Sequence, residues 1–412
     1  MRALAAAMAV HVALVAATLA GAGGDVFNDA SERRVGRGAD FYALYNAGDA
    51  VRHGRSVYSL ETPRVRRAYG YRYLPFLGFT LGPLVTLLPP EAAYWSWVVA
   101  LEALFLALAA LTLARAPPGR RPALAFVWAL STPYCLELFI GQFSFLTGAL
   151  VALTLLALDE GRVTRATAAW TGSLLVKTNS ALLAPLFAAR RRWGALVAAA
   201  GGVAALNAPY FLLEPGSFAD ARHNVAVITD RAPTHAGALG LQTIVSTILS
   251  GPAREVVSLG VIVALAVPTV WVVWRRPDPL VGGLALLCLH FVIYPEVWEH
   301  HYSLLLPVLA LVIARRDALA RPLIALALLI DLPTPYFVLE RIARGSAGYD
   351  SRSFDPEGAW PALGIAIYHA WKVVPVLAVL TLCAVRLRRE SYSSRACARR
   401  FSARSPRPSA TM

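Results

Sequence analysis

Apolar segments of about 16 to 24 residues recur along almost the whole of this 412-residue chain. The mean hydropathy is +0.54, 57% of the residues are hydrophobic and only 16% are charged. A helix needs about 20 apolar residues to cross a bilayer core of about 30 Å, whereas barrel strands show short alternating patterns. The sequence shows no such alternation, so it predicts an all-α polytopic membrane protein.

The formal net charge of +14 does not indicate nucleic-acid binding, because the arginines lie in short loops and at the ends of apolar segments. Positive charge at such positions orients a membrane protein. Only two of the 39 basic residues are lysines, Lys177 and Lys372. Their positions therefore carry more information than those of the abundant arginines.

The apolar pattern predicts about 10 to 12 transmembrane or re-entrant segments. They lie near 3–21, 73–89, 92–114, 122–140, 143–158, 166–189, 194–212, 256–274, 279–295, 302–314, 320–339 and 361–385. We predict one membrane domain over residues 1–385, beginning with an uncleaved helix. The first extracytoplasmic loop is expected at 22–72, a second polar loop at 213–254, and a basic, disordered cytoplasmic tail at 386–412.

Two of these segments have an ambiguous path. If every segment crosses, the basic turn at 115–121 falls on the outside, which conflicts with its charge. The short segment at 73–89, which contains Pro75 and Pro83, is therefore suspected not to be a simple crossing but to be tilted, broken or re-entrant. Segment 166–189 lies between Arg165 and Arg190, and either crosses once with a snorkelling Lys177 or enters and returns on one side.

The first loop carries a helical pattern. Between residues 40 and 51, Phe41, Leu44, Tyr45 and Ala47 fall near one face. Residues 58–68 could form a second short helix. We expect such helices to lie flat on the membrane interface.

Acidic residues in this loop are candidates for catalysis, because a polar loop directly after a first membrane helix is a suitable place for a reaction centre. Asp40 is one candidate, and Asp25, Asp29 and Asp49 compete with it on equal terms. A wider sequence pattern is needed to distinguish among them.

Such a pattern exists, and it resembles glycosyltransferase family 87 over roughly residues 1–315. Its elements are Gly38-Ala-Asp40-Phe41-Tyr42, Tyr45, Gly54 and Tyr58, Tyr71-Arg72-Tyr73-Leu74-Pro75, Gly141-Gln142, Lys177 with Pro185 and Arg190-Arg-Arg-Trp193, and Tyr294-Pro295 with Trp298, His300 and His301. The second loop departs from the family: the expected Asn-x-Ser element is present only as Leu241-Gln242-Thr243, or as Asn224.

The resemblance implies a GT-C-type bundle that takes a sugar from a polyprenyl phosphate, in many relatives an α-mannosyl group. Asp40 would be the general base of an inverting transfer, which needs one carboxylate where a retaining double displacement needs two. The donor phosphate would be bound by Lys177, Arg72, His300 and His301. The sugar or acceptor would be bound by Tyr45, Gln142 and Trp298. The expected partners are a polyprenyl-phosphate sugar and a lipid or glycan acceptor, with no cofactor and no metal.

Each assignment has a structural alternative. Arg72 could anchor the loop at the membrane surface, Gln142 could cap a helix, and the histidine pair could be structural. The pair could also bind a metal with Glu296 and Glu299.

The resemblance further implies a multi-pass protein of a bacterial-type cell membrane with an extracytoplasmic site. The main alternative function is a transporter or flippase for a lipid-linked sugar, which would use charged residues near the membrane midplane.

Overall fold

The protein is described from a computed structural model that covers residues 2–27, 36–61, 63–66, 68, 70–229, 238–295, 297–315, 318–344, 360 and 362–402. Its α-helices are α1 (Arg2–Leu19), α2 (Ala39–Arg52), α3 (Pro75–Val85), α4 (Pro90–Arg115), α5 (Arg121–Ala129), α6 (Thr132–Ile140), α7 (Ser144–Asp159), α8 (Val163–Val176), α9 (Ala184–Ala189), α10 (Trp193–Leu213), α11 (Ser217–Thr229), α12 (Leu241–Ile248), α13 (Gly251–Arg275), α14 (Pro279–Ile293), α15 (Leu305–Ala314), α16 (Ala320–Asp331), α17 (Tyr336–Arg344) and α18 (Ala362–Ser402). Two 3-10 helices matter for the site, Thr178–Leu183 and Glu299–Leu304.

The prediction of an all-α polytopic membrane protein is confirmed. Among the described residues, seven apolar helical stretches are 18 residues or longer, which suffices to cross a bilayer. Helices α7, α14 and α15 form the centre, and every residue of α15 is buried. Most side chains of α10 and α13 are exposed, so these two apolar helices form the outer, lipid-facing wall.

Basic residues gather at one end of the bundle, where five helices end or begin. Arg115 at the end of α4 pairs with Glu160 after α7 at 3.4 Å, and Arg315 after α15 pairs with Asp278 before α14 at 3.0 Å. Arg190 after α9 donates to the carbonyl of Pro277 at 2.8 Å. We call this end the arginine face.

The segment at 73–89 is not a simple crossing, as suspected. Helix α3 has 11 residues, about 16 Å of helix, and cannot span the bilayer core. Tyr45 of α2 donates to the carbonyl of Leu88 at 2.8 Å, and Arg52 donates to that of Thr86 at 3.2 Å. Helix α4 therefore starts on the same side as α2 and ends at the arginine face, which removes the conflict over residues 115–121.

The segment at 166–189 enters the bundle and returns. Trp170 of α8 stacks on Phe187 of α9 with ring centroids 4.4 Å apart, and the hydroxyls of Ser173 and Ser180 bond at 2.8 Å. These pairs show that the two arms run antiparallel. We call α8, the 3-10 helix Thr178–Leu183 and α9 the re-entrant hairpin, and its tip is Lys177.

Several details differ from the predictions. Helix α2 forms as predicted, but protein buries it on nearly all sides, because it packs against α3, α4 and α6 instead of lying on the interface. Residues 58–61, 63–66 and 68 contain turns and no helix. Helix α18 extends to Ser402; the disordered cytoplasmic tail over residues 386–412 stays a prediction. Residues 403–412 lie outside the described part of the chain, as does Asp29.

Two glycines allow α2 and α3 to touch. A methyl group on Gly48 would overlap the backbone of Gly82. We expect Gly48→Ala to push the two helices apart, with an overpacking cost of roughly 1–3 kcal/mol or more. Thermal unfolding of the purified protein should show a midpoint several degrees lower. Gly119→Ala is the control, because nothing lies near that position; an equal shift in both variants would contradict this account.

Candidate active site

Asp40 lies in the first turn of α2, where the N-terminal end of the helix dipole favours a carboxylate. Gly38, which precedes the helix, has a φ of +75° and donates its backbone N–H to the carbonyl of Phe139 at 2.8 Å. Tyr94 of α4 donates to the same carbonyl at 3.1 Å. These bonds tie the start of α2 to the end of α6 and bury Asp40, which is 5% exposed.

Gly141 and Gln142 complete this contact. Gly141 ends α6 with a φ of +70°, and a methyl group there would lie 2.5 Å from Cβ of Phe41. Glycine satisfies both the left-handed conformation and the close approach. The chain can then present Gln142 directly to α2, and its Nε2 donates to Oδ2 of Asp40 at 2.9 Å.

Tyr73 extends the network, although the sequence did not single it out as a site residue. Its hydroxyl donates to Oε1 of Gln142 at 2.6 Å, and the backbone N–H of Phe143 donates to the same oxygen at 2.8 Å. Burial, followed by the charge of Asp40, raises the pKa of Tyr73 well above its ordinary value. Tyr73 therefore stays protonated and fixes the orientation of the Gln142 amide, so that the amide N–H group points to Asp40.

Lys177 stands at the tip of the re-entrant hairpin, where α8 ends in an extended residue. Its Nζ donates to the hydroxyl of Ser144 at 2.7 Å and lies 5.9 Å from the centre of the Tyr73 ring. Lys177 is half-buried and the following Thr178 is exposed, so the hairpin tip is accessible at the surface of the protein. Asp40, Gln142, Tyr73 and Lys177 thus form a continuous series of contacts.

The histidine pair approaches from the 3-10 helix Glu299–Leu304. A methyl group on Gly148 of α7 would overlap the backbone of Leu304, so this glycine lets the 3-10 helix lie directly on α7. The rings of His300 and His301 are 4.3 Å apart. His301 accepts a bond from the backbone N–H of Trp298 at 3.2 Å through Nδ1.

Two cationic side chains and three imidazoles lie near one another. His301 lies within electrostatic range of Lys177, Arg72, His300 and His290. His290 of α14, which the sequence analysis also missed, lies 3.5 Å from the amide nitrogen of Asn179 in the hairpin. Such a set of cations and imidazoles can bind an anion.

Glu137 is a further residue that the sequence analysis missed. It is fully buried in α6, accepts bonds from the backbone N–H of Phe145 at 2.8 Å and the hydroxyl of Ser303 at 2.9 Å, and lies within the electrostatic reach of Lys177 and His300. It thereby joins α6, α7 and the histidine-bearing helix. An acid within an apolar segment is a signal that could have identified it.

Two predicted residues stand apart from this network. Tyr45 is fully buried, and its hydroxyl is bonded to Leu88, on a different side of α2 from Asp40. Trp298 is half-buried at the start of the histidine-bearing helix, to which its backbone is bonded. Asp49, the competing acid on α2, pairs instead with Arg55 and Arg64, each at 3.6 Å.

No group of three potential metal ligands lies close together within the described ranges. Glu296, one of the ligands considered in the metal alternative, lies outside those ranges. The metal-free site stays a prediction.

The second lysine of the chain belongs to a buried network next to the histidine pair. Lys372 of α18 is fully buried and lies 3.5 Å from Oε1 of Glu299. The two oxygens of Glu299 also accept bonds from the backbone N–H and hydroxyl of Thr334, each at 2.8 Å. Lys372 additionally donates to the carbonyl of Ile330 at 2.5 Å. This network fixes the residue directly before His300.

The fold and this site define a polytopic membrane protein with an oriented carboxylate near a cluster of cations and imidazoles. The family model of glycosyltransferase family 87 matches residues 71–295, more than half of the chain. The chain belongs to glycosyltransferase family 87 and is an integral-membrane glycosyltransferase. The family resemblance seen in the sequence is confirmed, and the match includes Arg72, Gln142 and Lys177, whereas Asp40, His300 and His301 lie outside it. No curated protein matches the chain.

The Lys372–Glu299 pair yields a prediction about stability. Lys372→Met should leave the Glu299 carboxylate buried without this cation and lower the free energy of unfolding by roughly 3–5 kcal/mol. The double variant Lys372→Met/Glu299→Gln should recover much of that loss, because the amide keeps an acceptor for Thr334 and carries no charge. Thermal unfolding in detergent measures both effects. Lys177→Met, the same change at a half-buried lysine, is the control, and additive losses in the double variant would refute the coupling.

Proposed function

We propose that this glycosyltransferase transfers a hexose, mannose by analogy with many members of its family, from a polyprenyl-phosphate donor to a lipid or glycan acceptor. Asp40 acts as the general base. Inversion at the anomeric carbon is expected from a single displacement.

The observation that supports this proposal most directly is the contact series from Asp40 through Gln142 and Tyr73 to Lys177. It brings a carboxylate and an ammonium group to one site from residues far apart in the sequence. A sugar bound between the two groups would meet a base on one side and a phosphate-binding cation on the other.

The proposed chemistry uses one carboxylate. Asp40 takes the proton of the acceptor hydroxyl while the hydroxyl oxygen forms a bond to the anomeric carbon. The bond from that carbon to the donor phosphate breaks, and the phosphate leaves with the electron pair. General-base assistance of this kind contributes roughly 10²–10⁴ in rate.

The leaving phosphate gains negative charge as this bond breaks. We propose that Lys177, Arg72 and the two histidines bind it, since fixed cations and hydrogen-bond donors stabilise a charge that develops in the transition state. This arrangement involves no metal and no cofactor. Which histidine contacts the phosphate depends on the donor pose.

We propose Gln142 and Trp298 as sugar or acceptor contacts. Trp298 begins the helix that carries the histidine pair and can offer an aromatic face to a sugar. Tyr45 was included in this group on the sequence pattern, but its bond to Leu88 favours a role in holding α2 against the chain that follows α3.

We also propose an orientation. The arginine face is cytoplasmic under the positive-inside rule, so the site lies at the extracytoplasmic side of a cell membrane. Flipped lipid-linked sugars would be available there.

Transport of a lipid-linked sugar is the alternative function. Glu299 and Lys372 are buried charges of the kind that a transporter can use. Both oxygens of Glu299, however, are bonded to Thr334, which is the geometry of a structural pair. This favours the transferase.

Asp40→Asn should lower turnover by roughly 10²–10⁴ with no change in expression or membrane insertion, because the amide cannot accept the proton. The assay follows radiolabelled sugar from polyprenyl-phosphate donors into fractionated cell-envelope lipids. Asp49→Asn makes the same chemical change on the same helix and should keep turnover close to that of the unmodified protein. Full activity of Asp40→Asn would rule out the base assignment.

Lys177→Met should raise the KM for the donor at least tenfold and leave the KM for the acceptor nearly unchanged, because Lys177 is proposed to bind the donor phosphate. Lys177→Arg keeps the charge, so its KM for the donor should lie between that of the unmodified protein and that of Lys177→Met. Steady-state kinetics with each substrate varied in turn separates these effects. Equal changes in both KM values would indicate a packing role for Lys177.

A further inference from the structure

A cavity lies at the arginine face, at the opposite end of the re-entrant hairpin from Lys177. Its volume is about 610 Å³, within the range of small-ligand sites. It opens where α9 ends, α10 begins and α13 ends. Its lining residues are Ala188, Ala189, Arg191, Trp193, Trp274 and Arg275. They include two guanidinium groups, two indoles and no carboxylate.

Two hydrogen bonds stabilise the turn that carries Arg191. Arg190 donates to the carbonyl of Pro277 at 2.8 Å, and the backbone N–H of Arg191 donates to that of Ala188 at 2.9 Å. Arg191 has a φ of +56°. This left-handed conformation is unfavourable for residues other than glycine. A turn that glycine would satisfy more easily thus carries an arginine at the mouth of a cavity.

The walls of this cavity continue into apolar surfaces that face outward. Trp193 is 56% exposed and Trp274 is 48% exposed. One turn further along α10, Val197 is also largely exposed, as is Val267 on α13. Tryptophan at such positions favours the headgroup level of a bilayer. The cavity therefore opens toward lipid and combines two cationic side chains with apolar walls.

We propose that this cavity binds the headgroup of an anionic phospholipid. The phosphate lies between Arg191 and Arg275, and the acyl chains lie against Trp193, Trp274 and the outer surfaces of α10 and α13. Charge complementarity selects this occupant, because both charged lining residues are cationic. Basic pockets between transmembrane helices are suited to such headgroups. This site is separate from the proposed transfer chemistry and does not depend on it.

The test is a lipid titration of the purified full chain in detergent, with phosphatidylglycerol binding counted by native mass spectrometry. Arg191→Asn/Arg275→Gln should weaken the most tightly bound phosphatidylglycerol roughly 30-fold, since each basic residue near a membrane surface contributes about fivefold. Asparagine tolerates the left-handed conformation at position 191. Arg165→Gln/Arg192→Gln is the matched control, which removes two exposed arginines of the same face that do not line the cavity, and it should bind like the unmodified protein.

Competition experiments test whether the bound phosphate belongs to an anionic phospholipid or to another molecule. Phosphatidylcholine should not compete, and glycerol 1-phosphate should compete only weakly because it lacks acyl chains. Competition by phosphatidylcholine, competition by glycerol 1-phosphate as strong as that by phosphatidylglycerol, or preferential retention of undecaprenyl phosphate over phosphatidylglycerol would overturn the assignment. An equal loss in the two double variants would show diffuse attraction instead of a site. Should the first double variant not purify, Arg275→Gln alone should weaken binding about fivefold, and unchanged binding would overturn the proposal.

Discussion

The close contact between the start of α2 and the end of α6 is the constraint on which the rest of the site depends. It exists because Gly38 bonds to the carbonyl of Phe139 and because Gly141 has no side chain where Phe41 approaches. The contact removes Asp40 from water and supplies an amide donor from Gln142 in exchange. A buried carboxylate with such a donor is oriented, whereas the same residue in a solvated loop would not be.

The re-entrant hairpin places the cationic Lys177 where it does not have to face lipid. A lysine facing lipid would cost about 2.5–3.5 kcal/mol on insertion scales. At the hairpin tip, Lys177 has Ser144 and the face of Tyr73 as neighbours. Irregular backbone at membrane depth is tolerated where it is surrounded by protein in this way. The two arms are short and return to the arginine face, so the charge reaches the site without a full crossing.

The two ends of the bundle differ in character. At the arginine face, short ion pairs such as Arg315–Asp278 join helix ends near solvent. Toward the other end, charges are buried and bonded inside the protein, as in Glu299 between Thr334 and Lys372. Buried pairs of this kind add less to stability than to the fixed position of the groups they hold. The helix that carries His300 depends on such a pair.

The sequence alone determined the helical membrane class, the helix over residues 40–51 and the family, because these follow from local hydrophobic patterns and short motifs. It also singled out Asp40, Gln142 and Lys177. Only the tertiary structure decided the path of 73–89 and 166–189, the burial of α2, and the inclusion of Tyr73 in the network with the exclusion of Tyr45. The physical reason is that Asp40 and Gln142 are 102 residues apart, and their contact depends on backbone approach at glycines that no local pattern reveals.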